Sequence, residues 1–118
     1  MGENRWQDIY LHLESEGFDV YSPATKEGEC ESPYVVVKND GSSRYMGIST
    51  DNDYYSIMVY VPKMNYSILE TMVQSVKKSM KKLEPMILPR GAQTPSFYDD
   101  AVKAHMVSIE YKNYKKML

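Results

Sequence analysis

Cysteine is nearly absent from this chain: Cys30 is the only one in 118 residues. No disulfide can close within it, and no oxidising compartment is implied. Histidine occurs twice, and neither a paired-histidine nor a Cys/His ligand framework is present. No apolar run approaches the roughly 18 residues needed to span a bilayer. The stretch Met1-Gly2-Glu3-Asn4-Arg5-Trp6 lacks the apolar core of a secretory signal. Met1-Gly2 opens like a myristoylation signal, but Trp6 stands where that signal needs Ser or Thr. Basic charge is not in excess either: 14 Lys and Arg face 16 Asp and Glu, a net charge of −2, which argues against a nucleic-acid backbone as the main partner. A cytosolic setting is expected.

What is present suits one packed domain over residues 1–118: 42% apolar, 12% aromatic and 25% charged. The aromatic set is skewed, with eleven tyrosines against two phenylalanines and one tryptophan. Tyrosine suits protein interfaces and equally suits half-buried strand positions, so the count leaves both open.

Trp6, Ile9, Tyr10 and Leu13 fall at helical spacing between Asn4 and Glu16, and Gly17 follows where a helix commonly stops. Phe18 to Ser22 alternates as a brief strand that Pro23 ends, and Ala24 to Pro33 reads as loop. Tyr34 to Val37 is β-prone, and Asn39-Asp40-Gly41 after it predicts a hairpin turn with the partner beginning near Ser43. Arg44 to Ser49 and Tyr54 to Val61 both read as strand, and Thr50-Asp51-Asn52-Asp53 as a bend within one long ribbon closed by Pro62. Between Tyr66 and Leu83, Ile68, Leu69, Met72, Val73, Val76, Met80 and Leu83 form one apolar stripe. Ser67 and Glu70 have capping-box spacing at its start, and lysines crowd its end. Residues 85–95 read as loop or short strand, Ser96 to Asp100 as one helical turn, and His105 to Tyr111 as a closing strand. This order indicates an α+β fold, a mainly antiparallel sheet with a long amphipathic helix on one face and a short opening helix.

Chemistry finds little purchase in these residues. Asp99, Asp100 and His105 are the nearest approach to a metal or proton-transfer set, but His12 lies far off in sequence, and a surface loop is the better reading. Cys30 between Glu29 and Glu31 is expected to hold its proton. Asp40-Gly41-Ser42-Ser43 lacks the Gly-Lys of a phosphate loop, and Asp51-Asn52-Asp53 lacks the glycine and distal glutamate of a calcium loop. Lys77, Lys78, Lys81 and Lys82 read as the solvated side of a helix. No catalytic, cofactor or metal residues are therefore assigned.

Ser32-Pro33-Tyr34-Val35-Val36-Val37 entering the sheet, Tyr55-Ser56-Ile57-Met58-Val59-Tyr60-Val61-Pro62 before a long helix, and Phe97 to Tyr111 closing the chain resemble the tail terminator (tail completion) proteins of tailed phages. The last stretch looks like small proteins of phages and phage-derived contractile particles of Gram-positive bacteria. The resemblance covers most of the chain. It implies a tail-terminator-like fold and a structural, non-enzymatic virion protein. Such a protein assembles in the bacterial cytoplasm as a homo-oligomeric ring, expected to be a hexamer. It would cap the tail tube and join it to the head, collar or connector, with the sheath as a further neighbour and DNA only passing through the lumen. A neck or head-to-tail connector protein is the near alternative, and a small ligand-binding or regulatory module the distant one. On this reading the interface residues would be Arg44, Tyr45, Asp51, Asp53, Tyr54, Tyr111, Tyr114 and Lys115. The ribbon edge would be added to a neighbour's sheet, and the acidic bend would face the lumen.

Overall fold

The computed structural model describes residues 5–44 and 50–116. It is an α+β fold in which helix α1 (Trp6–Ser15) leads through β1 (Val20–Tyr21) to the long strands β2 (Tyr34–Arg44) and β3 (Thr50–Pro62). A 3-10 segment (Lys63–Ile68) runs into α2 (Leu69–Lys81), followed by β4 (Ile87–Gln93), β5 (Phe97–Asp99) and β6 (Ala104–Lys116). The sheet order is β1-β2-β3-β6-β4, with β5 also on β6. Every pairing is antiparallel except β1 with β2. That parallel pair requires a crossover, which the loop from Ser22 to Pro33 supplies.

Alternation along the strands decides which face meets the helices. Tyr55, Ile57, Val59 and Val61 of β3 and Val107, Ile109 and Tyr111 of β6 are buried together with Ile9 and Leu13 of α1 and Leu69, Val73, Val76 and Met80 of α2. The spacing of the four α2 residues is the predicted stripe. Gly17, at φ 97°, ends α1: Phe18 N donates to Leu13 O and Gly17 N to Glu14 O, the bonds of a glycine-terminated helix. The opposite sheet face carries a smaller cluster, Cys30, Tyr34, Val36 and Ala104, under the crossover loop.

Four expectations fail. Asn39-Asp40-Gly41 is not a hairpin turn: β2 pairs with β3 out to Arg44 opposite Asp51, with a register shift between Asn39 and Gly41. Gly41 at φ 98° forms a bulge, its N–H held by Asn39 Oδ1 at 2.7 Å. Consequently Thr50 to Asp53 is not a bend but paired strand, flanked by β2 and β6. Ser67 and Glu70 make no capping box: α2 begins after a 3-10 lead-in without a side-chain cap, and Glu70 accepts from Gln74 Nε2 at 2.8 Å instead. Ser96 to Asp100 holds β5 rather than a helical turn. The expected strand over residues 45–49 lies outside the described residues.

Candidate functional site: a three-stranded arm

The β3–β6 ladder is 13 residues long, from Thr50 opposite Lys116 to Pro62 opposite Ala104. At about 3.4 Å per residue that is roughly 44 Å. Among the residues whose side chains are described, the buried inward residues of β3 run from Tyr55 to Val61. From Asp53 to Thr50 the strand outruns the helices, together with the ends of β2 and β6. The molecule accordingly measures 50 × 25 × 24 Å, with a radius of gyration of 14.9 Å, against about 13.5 Å for a compact chain of this length.

The register gathers most of the expected interface positions on this arm. Arg44, Asp51 and Lys115 form one cross-strand row, Asn52 and Tyr114 stand opposite one another, and Asp53 stands between Ser42 and Asn113. Tyr45 lies outside the described residues. Asp51, between two basic positions, is thus not an isolated acidic point at a bend. Tyr111 does not belong to a surface: it is 4% exposed, within the helix-side core, and burial pushes its hydroxyl pKa up to about 12. Tyr54 lies at the root of the arm, where the Arg90 guanidinium sits 4.2 Å from its ring centre.

That root is braced on its outer face. Arg90 Nη1 donates to Glu110 Oε1 at 2.9 Å, Ser56 Oγ donates to Asp40 Oδ2, and Lys38 Nζ is 3.7 Å from Asp40 Oδ1. Since Lys38, Ser56 and Glu110 are successive register partners, this polar belt crosses β2, β3, β6 and β4. The outer edge of β2 is meanwhile closed near the core. Val35 N donates to Asp19 O, and the Trp6 indole donates to Val37 O at 2.7 Å. With Gly41 N held by Asn39, several of the edge groups that would template another strand are taken up as far as the bulge. Around the arm, the edges open to an added strand are those of Ser42–Arg44 on one side and of Tyr114–Lys116, past the last β4 partner, on the other.

Two further groupings resemble chemistry without the geometry for it. His12, Ser79 and Glu16 come together although 67 and 63 residues separate Ser79 from the other two. His12 Nε2 is 2.8 Å from Ser79 O; a carbonyl only accepts, so Nε2 carries its proton and is no base for the hydroxyl. Ser79 Oγ donates to Glu16 Oε1 at 3.0 Å, and Lys82 Nζ to the same oxygen at 2.9 Å. The group is a clasp between α1 and α2. Bonds from Lys82 and then Ser79 hold the Glu16 carboxyl below its ordinary pKa. Nothing local in the sequence signals it. Asp99 Oδ1 accepts from Ala101 N at 3.0 Å, a turn contact, and His105 faces the carbonyl of Lys63 at 3.2 Å. Among the described residues no group of three His, Cys, Asp or Glu is placed to hold a metal. Cys30 holds its proton as expected, but chiefly because it is buried; Glu29 adds only the smallest contribution.

Among the described residues no helix is long and apolar enough to cross a membrane. No protein-family model and no curated protein matches this chain.

Proposed function

We propose that this protein is a structural, non-catalytic subunit that assembles with copies of itself through the arm, and that the assembly is a ring capping a phage-type tail tube. The observation that carries the reading is the 13-residue β3–β6 ladder that outruns the helices and gathers Arg44, Asp51, Tyr114 and Lys115 at one end. A projection braced at its root suits contact with another subunit. A contact between two different surfaces of identical subunits closes into a ring when its rotation divides a full turn. The resemblance to tail terminators supplies the finer identity: a fold of that kind, with the tail tube and the head connector or collar as partners, in a virion tail or tail-like particle. The row of Arg44, Asp51 and Lys115 carries one positive charge in excess, which suits a neighbouring subunit better than a lumen through which DNA must slide. The test is the mass of the purified protein by light scattering, alone and with short tail tubes viewed by electron microscopy. Rings on tube ends are expected; a monomer that ignores tubes overturns the reading.

A further inference from the structure

Opposite the arm tip, at the other end of β6, lies an exposed apolar surface built by the 3-10 segment and β5. Met64 is 88% exposed, Tyr66 54% and Phe97 48%, in a protein whose other large apolar residues are mostly buried; Phe97, paired with Met106, faces away from Tyr98 and Tyr66, so exposed apolar side chains flank both sides of the β5 edge. The surface is ordered. Tyr66 and Tyr98 flank the His105 ring at 4.7 and 5.3 Å between centres, and the Tyr66 hydroxyl is 3.0 Å from Ser96 Oγ. Beside it runs a groove of about 270 Å³ lined by Tyr66, Ser67, Glu70, Thr94, Ser96 and Val107.

We infer that this end of the molecule is the seat for the arm tip of a second copy, an inference that rests on the self-assembly reading above. The chain cannot cover its own seat, because the 13-residue ladder holds the two ends about 40 Å apart. The outer edge of β5 has no partner strand among the described residues and is three residues long. It is open to an added strand, as are the ends of β2 past the bulge and of β6 past its last β4 partner. Charge is complementary as well. The arm carries Arg44, Lys112, Lys115 and Lys116 against Asp51 and Asp53; the seat carries Glu70, Asp99 and Asp100 against Lys63 and Lys103. Arm-to-seat contact is heterologous, so it propagates head to tail.

The experiment uses two full-length variants: a seat variant, Met64→Ser with Phe97→Ser, and an arm variant, Lys112→Glu with Lys115→Glu. Each is followed by light scattering and thermal melting. Each alone is expected to be monomeric with a wild-type melting temperature, while an equimolar mixture forms a dimer, since one copy keeps its arm and the other its seat. If the seat double variant melts early, Met64→Ser alone serves, because that side chain is almost wholly exposed. A seat variant that assembles like wild type, or a mixture that stays monomeric, overturns the inference. So does a wild-type chain that never self-associates in solution; if that chain still caps tubes, the ring reading survives without this seat.

Discussion

Replacing Tyr111 by Ala separates a core role from an interface role. The side chain is 4% exposed and packs with Ile87, Ile109 and Tyr55 in the helix-side core. Truncation returns about 160 Å² of buried surface to solvent or to an empty cavity, which at about 25 cal/mol per Å² is about 4 kcal/mol, within the usual range for removing a buried aromatic ring. For 118 residues the unfolding entropy at the midpoint is about 0.25 kcal/mol/K, so the melting temperature should fall by about 15 °C. Tyr111→Phe, which keeps the ring, should cost less than about 1.5 kcal/mol. Phe97→Ala, at a half-exposed position, should change stability by about 0.5 kcal/mol or less while weakening self-association. Calorimetry and urea titration read the first effect, light scattering the second. A Tyr111→Ala protein that unfolds like wild type but no longer self-associates would refute the placement of this residue and, with it, the inward face of β6.

Burial pushes Tyr34 and Tyr111 up to about 12, so the folded state keeps protons that the unfolded chain releases near pH 10. Their contribution is whole below pH 10 and lost as pH rises toward 12; the urea midpoint should fall over that window and fall less in a Tyr34→Phe/Tyr111→Phe protein. Glu16 has the opposite sign: its lowered pKa gives stability present above the ordinary carboxylate pKa and lost as pH drops through the folded one. Glu16→Gln should flatten that part of the acid limb in melting temperatures taken from pH 7 to pH 3, and an unchanged limb would remove the clasp from the account. Gly41→Val should lower stability by roughly 1–2 kcal/mol, because φ is 98° there while no atom lies within 4 Å of the added Cβ; an unchanged urea midpoint would mean that the left-handed bulge is not held in solution.

Elements fixed by local chemistry were legible in the sequence, and those fixed by partners were not. The end of α1 follows from Gly17 and the end of β3 from Pro62, and the α2 stripe appears as Leu69, Val73, Val76 and Met80 in the core. Asp40-Gly41 misleads because one glycine at positive φ serves a two-residue turn and a bulge equally well. Only the pairing of β2 with β3 beyond it chooses the bulge. Ser96 to Asp100 is recruited as β5 by the edge of β6, a contact that no window of sequence contains. Tyr111 is placed at an interface by the family resemblance, whereas its alternation with Val107 and Ile109 already puts it on the core side. The clasp of His12, Ser79 and Glu16 joins helices that are adjacent only once folded.

The two outer edges of the sheet are treated unequally, and the difference bears on assembly. Along β2 the indole of Trp6 and the side chain of Asn39 take the outward groups that a second strand would use. On the other side Pro89 and the glycine bulge at Gly91, φ 79°, interrupt β4 between its pairings at Pro89 and Gln93. Both are devices that blunt an edge against unspecific pairing. What escapes them is the end of the arm on each side, and the three residues of β5 beside the exposed apolar seat. A three-residue ladder is weak by itself, so it selects a partner only where side-chain burial accompanies it. Such burial is on offer at β5, where Met64, Tyr66 and Phe97 stand exposed. Blunted flanks and one paired set of open ends would thus favour end-to-end contact between copies over stacking of whole sheets, the connectivity that a closed ring needs.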